Sequence, residues 1–264
     1  IIIRIMIQKF FVVGNWKQNP DKLSKVLSFH VDFQKEARAV KDVESVICPS
    51  FVHMGVLLAK KPVYSVGSQN ISLHESGAHT GEVSVAQLAD MGVHFSIVGH
   101  SEVRDAGESN LDVNKKIKIL LKKKITPIVC VGEARRDVAH EYVRELEEQV
   151  QKTFADIPKS ALSKIVIAYE PVWAIGAGAT REATPEECTE AIILIRRTLA
   201  DIYHAKSISN LSILYGGSVT PKNCSSFLET GMMQGFLVGR ASLSAKDLSS
   251  ILRTTSNFVK TQTS

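Results

Sequence analysis

Apolar residues recur along this chain in eight short clusters, at 10–13 (FFVV), 43–48 (VESVIC), 63–67 (VYSVG), 95–98 (FSIV), 126–131 (TPIVCV), 165–169 (IVIAY), 211–215 (LSILY) and 235–238 (GFLV). Most are near-continuous runs, without strict alternation of apolar and polar positions. A strand with one wet face alternates, whereas a strand covered on both faces does not, so these runs predict a parallel sheet with helices packed on it. The intervening segments carry helical spacing. Asn19-Pro20 offers an N-cap and first-turn pair ahead of Leu23, Val26, Leu27 and Val31. Asn110 precedes Leu111, Ile117, Leu120 and Leu121, and Tyr142, Leu146 and Val150 stand four apart. Thr184-Pro185-Glu186-Glu187 reads as a capping box with proline at its first helical position. Thr220-Pro221 and Ser244 open two further helices.

Strand and helix thus alternate eight times, which predicts a single-domain (β/α)8 TIM barrel with a parallel eight-stranded core, an open doubly wound sheet being the alternative. The barrel is expected over 10–253, with an extra N-terminal segment at 1–9 and a polar, frayed tail at 254–264. The apolar start, Ile1 to Ile7, is too short to cross a bilayer and lacks the layout of a signal peptide.

Composition narrows the function. Apolar residues make up 44% of the chain and charged residues 22%, enough for a large core and too apolar for disorder. The net charge of +5 weakly favours anionic partners. Its densest cluster, Lys115, Lys116, Lys118 and Lys122 to Lys124, falls in an amphipathic helical stretch without interleaved aromatics, so it reads as a solvated face and no nucleic-acid partner is expected. Cys48, Cys130, Cys188 and Cys224 are too widely spaced for CxxC chemistry and read as reduced thiols of a cytoplasmic protein. No HExxH, Walker or complete dinucleotide-loop sequence occurs, and neither a metal nor an organic cofactor is expected.

In such barrels the reactive groups sit just beyond the C-terminal ends of the strands. Lys17 follows the first run in Gly14-Asn15-Trp16-Lys17, and is either a cation aimed at the barrel mouth or a snorkelling surface lysine. His100 follows the fourth in Gly99-His100-Ser101-Glu102, and is a candidate acid–base group or a structural histidine, with Glu102 a candidate partner for Lys17. Glu170 follows the sixth and leads into a stiff Pro171-Val172-Trp173 and then small residues, the make-up of a hinged lid over 171–180. Gly216-Gly217-Ser218 and Gly239-Arg240 follow the last two runs, where backbone N–H groups can approach a phosphate or serve as ordinary turns. One lysine, one histidine, one glutamate and a glycine-built anion site suggest proton abstraction next to a carbonyl in a small phosphorylated sugar.

The segments GNWK (14–17), QNIS (69–72), TGEVS (80–84), VGHSE (98–102), CVGE (130–133), AYEPVWAIG (168–176), YGGSV (215–219), FLVG (236–239) and ASL (241–243) resemble the triosephosphate isomerase family, in family order from about Phe10 to Leu252. The resemblance implies interconversion of two triose phosphates through an enediolate, with Glu170 as base, His100 as neutral acid and Lys17 stabilising charge. It implies that Asn15 places the substrate, that N–H groups of Gly176, Ser218, Gly239 and Arg240 hold the phosphate, and that Glu102 supports Lys17. It further implies a homodimer whose loop at 68–83 carries Thr80 towards the partner's site. Departures are Gln18 for the usual Met, Val103 for the usual Arg, Ala179 for the lid's usual Lys, Arg240 for the usual Gly, and an inserted Arg181-Glu182 at the lid's far hinge. Another phosphosugar as substrate, or a non-catalytic barrel, is the alternative those departures raise.

Overall fold

The computed structural model describes residues 9–137, 139–176, 179, 181–204, 208 and 210–263. Eight parallel strands close into a barrel in chain order: β1 (Phe10–Asn15), β2 (Val43–Cys48), β3 (Ser65–Ser68), β4 (Phe95–Val98), β5 (Thr126–Val131), β6 (Val166–Tyr169), β7 (Ser212–Tyr215) and β8 (Gly235–Val238). The helices between them are α1 (Leu23–Ala39), α2 (Phe51–Ala59), α3 (Val85–Asp90), α4 (Ser101–Asp105), α5 (Asn110–Lys122), α6 (Glu141–Phe154), α7 (Pro185–Tyr203), α8 (Cys224–Glu229) and α9 (Ala245–Thr263). The closed ring excludes the doubly wound alternative.

The near-continuous apolar runs have a two-sided explanation. Phe11, Val13, Val46, Cys48, Ile97 and Ile128 belong to a cluster inside the barrel. Their neighbours Phe10, Val12, Ile47, Val98 and Val129 belong to a second cluster between strands and helices. Successive side chains still point to opposite faces, but both faces are dry.

Two expectations need correction. Helix α1 begins at Leu23, not at Asn19-Pro20, and the Pro20 carbonyl accepts instead from His53 Nε2 at 3.0 Å. Thr220-Pro221 opens the turn that leads into α8: Thr220 and Asn223 bond each other's backbone N–H as in a capping box, and the Cys224 N–H donates to the Thr220 carbonyl at 3.1 Å. The tail expected to fray from Thr254 instead continues α9 to Thr263. Its polar residues hide a one-sided stripe: Thr255 and Val259 are buried, Phe258 packs against Phe10 with ring centroids 6.0 Å apart, and the Ser256 hydroxyl donates to Asp42 at 2.8 Å. The segment 1–9 lies outside the described residues except for Lys9, which pairs with Glu44 at 2.8 Å.

The lysine cluster of α5 is solvated except at Lys116, which is buried, ion-paired with Glu108 and donating to Asn70 Oδ1 at 2.8 Å. This pair braces the loop after β3 from below. The four cysteines are free and buried.

Barrel closure depends on a glycine. Where β8 meets β1, Gly235 has φ +120°, and a Cβ there would lie 1.8 Å from the Phe11 carbonyl oxygen. Gly235→Ala must therefore spread the seam as well as adopt an unfavourable backbone conformation. We expect a loss of about 2–3 kcal/mol in urea denaturation; an unchanged midpoint would mean that the seam yields without cost.

Candidate active site

The strand ends converge on one face of the barrel. Asn15 closes β1, is buried, and its Oδ1 accepts the Lys17 N–H at 3.1 Å. Lys17 occupies a left-handed conformation, φ +54°, unusual for a residue with a side chain. Gln69 helps hold it there, donating from Nε2 to the carbonyls of Lys17 at 2.9 Å and Cys48 at 3.0 Å. The backbone so fixed aims the Lys17 ammonium at Glu102, with which it forms an ion pair.

His100 and Glu170 are brought face to face from β4 and β6. Both are buried, Glu170 to 2% exposure. His100 Nε2 stands 3.1 Å from Glu170 Oε1, and the Ser101 N–H donates to Glu170 Oε2 at 3.0 Å. His100 Nδ1 accepts the Glu102 N–H at 3.2 Å. An acceptor nitrogen carries no proton, so the imidazole is neutral with its proton on Nε2, directed at the carboxylate. Glu102 joins the cation to the acid–base pair, its backbone N–H donating to His100 Nδ1 and its carboxylate pairing with Lys17.

Glycines make room for this arrangement. A Cβ at Gly132 would lie 1.7 Å from the Glu170 carbonyl oxygen, and one at Gly216 would lie 3.0 Å from Glu170 Cγ. A Cβ at Gly217 would meet the Tyr215 hydroxyl at 2.1 Å, so Gly216-Gly217-Ser218 must keep its bare backbone. The Ser218 carbonyl accepts from Asn223 Nδ2 at 2.8 Å. Gly239 opens a short 3-10 turn over Arg240–Leu243, and Ser242 donates to its carbonyl from both N–H, at 2.9 Å, and hydroxyl, at 2.7 Å. Space beside Gly239 is open, and Arg240 is exposed.

Of the expected lid, Gly176 has φ +78°, while residues 177, 178 and 180 lie outside the described residues. Thr80 is exposed on the loop after β3. Among the described residues, His74, His79 and Glu82 of that loop form the one group of three side chains close enough to share a cation. The two imidazoles lie face to face at 3.5 Å and 4°, so their in-plane lone pairs run side by side without converging, and Glu82 is already engaged by the Ser72 hydroxyl.

The family model of triosephosphate isomerase matches residues 10–255. Curated relatives with that name include proteins of Natranaerobius thermophilus, 38% identical over 94% of this chain and 96% of the relative, and of Endomicrobium trichonymphae, 39% identical over 93% and 98%. A Clostridium botulinum relative is 38% identical over 91% of this chain and 97% of its own. The chain belongs to the triosephosphate isomerase family.

Several residues that build this cluster at the strand ends carried no individual signal in the sequence. Gln69 and Ser101 lay inside family motifs without a role, yet one fixes the Lys17 backbone and the other half of the Glu170 carboxylate. Arg104 threads beneath His100, donating to Gly99 O at 2.7 Å, Asn110 Oδ1 at 2.6 Å and Cys130 O at 3.3 Å. Its burial lowers its pKa, which neighbouring acids oppose. Glu133 is fully buried; its Oε1 accepts from Tyr169 Oη and Trp173 Nε1, both at 2.8 Å, and its Oε2 has no partner among the described residues.

Burial raises the Glu133 pKa above its ordinary 4.5, and the two donors offset this only in part. With the folded-state pKa raised, the folded chain holds this proton more tightly than the unfolded chain. The group therefore costs stability progressively as pH rises from about 4.5 towards its folded pKa, and nothing further above it. Glu133→Gln lacks this titration. Its stability relative to wild type is expected to improve between pH 4 and pH 7 in denaturation midpoints; a difference independent of pH would refute the assignment.

Proposed function

We propose that this chain interconverts dihydroxyacetone phosphate and D-glyceraldehyde 3-phosphate, as a cytoplasmic homodimer serving glycolysis and gluconeogenesis. The observation that carries the reading is the buried Glu170–His100 pair, with the proton on His100 Nε2 and Lys17 joined to it through Glu102. A glutamate base beside a neutral histidine is the long-established arrangement of this family.

Glu170 removes a proton from the carbon next to the carbonyl. His100 Nε2–H donates to the carbonyl oxygen as negative charge develops there, so the product of this step is an enediol or enediolate. Lys17 offsets the charge, and Asn15 and Lys17 place the reacting oxygens. Glu170 then returns its proton to the adjacent carbon while His100 moves a proton between the two oxygens. No atom is lost and no oxidant is needed, which fits a site of acids and bases alone. Main-chain N–H groups of Gly176, Ser218, Gly239 and Arg240 hold the phosphate; at 240 only the N–H is required, and an exposed side chain is compatible with that.

Dimerisation is read from the loop at 68–83, whose exposed Thr80 reaches the partner's site in this reading. Among the described residues no helix is long and apolar enough to cross a membrane.

A coupled assay with either triose phosphate is expected to show isomerisation. Glu170→Asp withdraws the carboxylate by roughly an ångström and should lower kcat about a hundredfold with little change in KM. Full activity in that variant would remove Glu170 from the role of base. Light scattering should give twice the 29.0 kDa of one chain; a monomer with full activity would overturn the dimer.

A further inference from the structure

The segment behind Glu170 begins Pro171-Val172-Trp173, and Trp173 is gripped from two sides. Its indole N–H donates to buried Glu133 at 2.8 Å. Over its face lies the guanidinium of Arg181, 4.6 Å from the ring centroid. Arg181 is itself anchored, its two terminal nitrogens donating to the two carboxylate oxygens of Glu187 at 2.8 and 2.6 Å. Glu187 is the third residue of α7 and half of its capping box, accepting the Thr184 N–H at 2.9 Å. Arg181 draws its carboxyl down to about 2, so the pair is ionised at neutral pH. The first turn of α7, Glu187, Arg181 and Trp173 thus form a continuous strap. Arg181 belongs to the Arg181-Glu182 pair that the sequence resemblance marks as an insertion at the far hinge.

We propose that Arg181 is a positioning residue for the isomerase reaction, holding Trp173, and through it the segment behind Glu170, in its place against Glu133 and α7. The inference rests on the isomerase reading above. Glu170 here takes its hydrogen bonds from His100 and Ser101, so His100 Nε2–H faces the base and not a substrate oxygen. For the reaction Glu170 must leave these donors. Pro171 joins its backbone directly to Val172 and Trp173, and whatever fixes Trp173 resists that movement. A guanidinium stacked on an indole at an exposed site shifts such a balance by roughly 2- to 5-fold. Arg181 tunes the balance without touching the substrate.

The test compares Arg181→Ala, Arg181→Lys and Glu187→Gln with wild type, using 2-phosphoglycolate as the probe together with kcat and KM. Arg181→Ala is expected to bind the probe roughly 2- to 5-fold tighter, with KM lowered in parallel and kcat not raised. Lysine keeps the charge but lacks the planar fork, so it should follow alanine. Glutamine still serves at the third position of a capping box, so Glu187→Gln preserves α7 while loosening Arg181, and should shift binding the same way. Combining Arg181→Ala with Glu187→Gln should add nothing. With 5-fluorotryptophan incorporated, the fluorine resonance of Trp173 should move in Arg181→Ala while that of buried Trp16 stays. Variants that lower Tm but keep wild-type probe affinity, KM and Trp173 resonance overturn the proposal, because Arg181 would then only brace α7. Weaker probe binding also overturns it. A wild-type chain that neither isomerises nor binds the probe overturns the functional reading along with it, whereas an active wild type with indifferent variants overturns the strap alone.

Discussion

Glu170 is a carboxylate at 2% exposure, and the geometry around it follows from the need to solvate that charge with protein. A buried carboxylate without donors costs several kcal/mol, so the charge persists only where N–H groups replace water. Two of its donors, His100 Nε2 and the Ser101 N–H, come from the single turn after β4, and the Cys130 thiol of β5 adds another. The Glu170 backbone is fixed from the next strand, its N–H donating to the Val131 carbonyl at 2.8 Å. The ends of β4, β5 and β6 must therefore crowd together, which leaves no space for a Cβ at Gly132. The barrel supplies such crowding through its stagger and closure, with β5 paired to both neighbours along its length.

The same constraint sets the state of the histidine. An imidazole whose Nδ1 is occupied by a backbone N–H must donate from Nε2, and the Glu102 amide provides that N–H at the first turn of α4. Glu102 then does two things from one position: its backbone fixes the His100 tautomer, and its side chain holds Lys17. Arg104, on the same short helix, ties it to Gly99, Asn110 and Cys130 underneath. Moving α4 would disturb base, acid and cation together, which is why five residues of helix carry so many anchors.

The strands were legible because being dry on two faces leaves a simple mark, near-continuous apolar runs, and β2, β4, β5 and β8 fall on the residues those runs predicted. Helix starts were less legible. Asn19-Pro20 has the right local chemistry for a cap, yet α1 starts at Leu23 and the Pro20 carbonyl accepts from His53, whereas Thr220-Pro221 does open the turn into α8. The tail after Thr254 misled by composition, since its burial comes from spacing against α1 and β1 and not from an excess of apolar residues. At the site, Lys17, His100 and Glu170 stood out as chemistry-bearing residues at strand ends. Gln69, Ser101, Arg104 and Glu133 act through main-chain atoms or through contacts far along the chain, and neither residue type nor local spacing records such contacts.

Glu133 shows what that hidden layer is for. A fully buried carboxyl with one oxygen unpartnered among the described residues is a poor stabiliser, and burial raises its pKa. Yet its other oxygen fastens Tyr169, immediately before Glu170, and Trp173, three residues after it. The base is thereby clamped on both sides by a group that cannot itself reach the substrate. A rigid barrel alone would place Glu170 but leave the segment behind it loose; apolar packing alone would hold Trp173 without direction. A hydrogen bond to a buried acceptor does both, since it is directional and has no water to compete with it. The cost at Oε2 is then the energetic counterpart of a fixed segment behind Glu170, against which the base must move when it leaves His100 and Ser101, and Arg181 adds to the same clamp from the solvent side, where its contribution is smaller and open to adjustment by substitution.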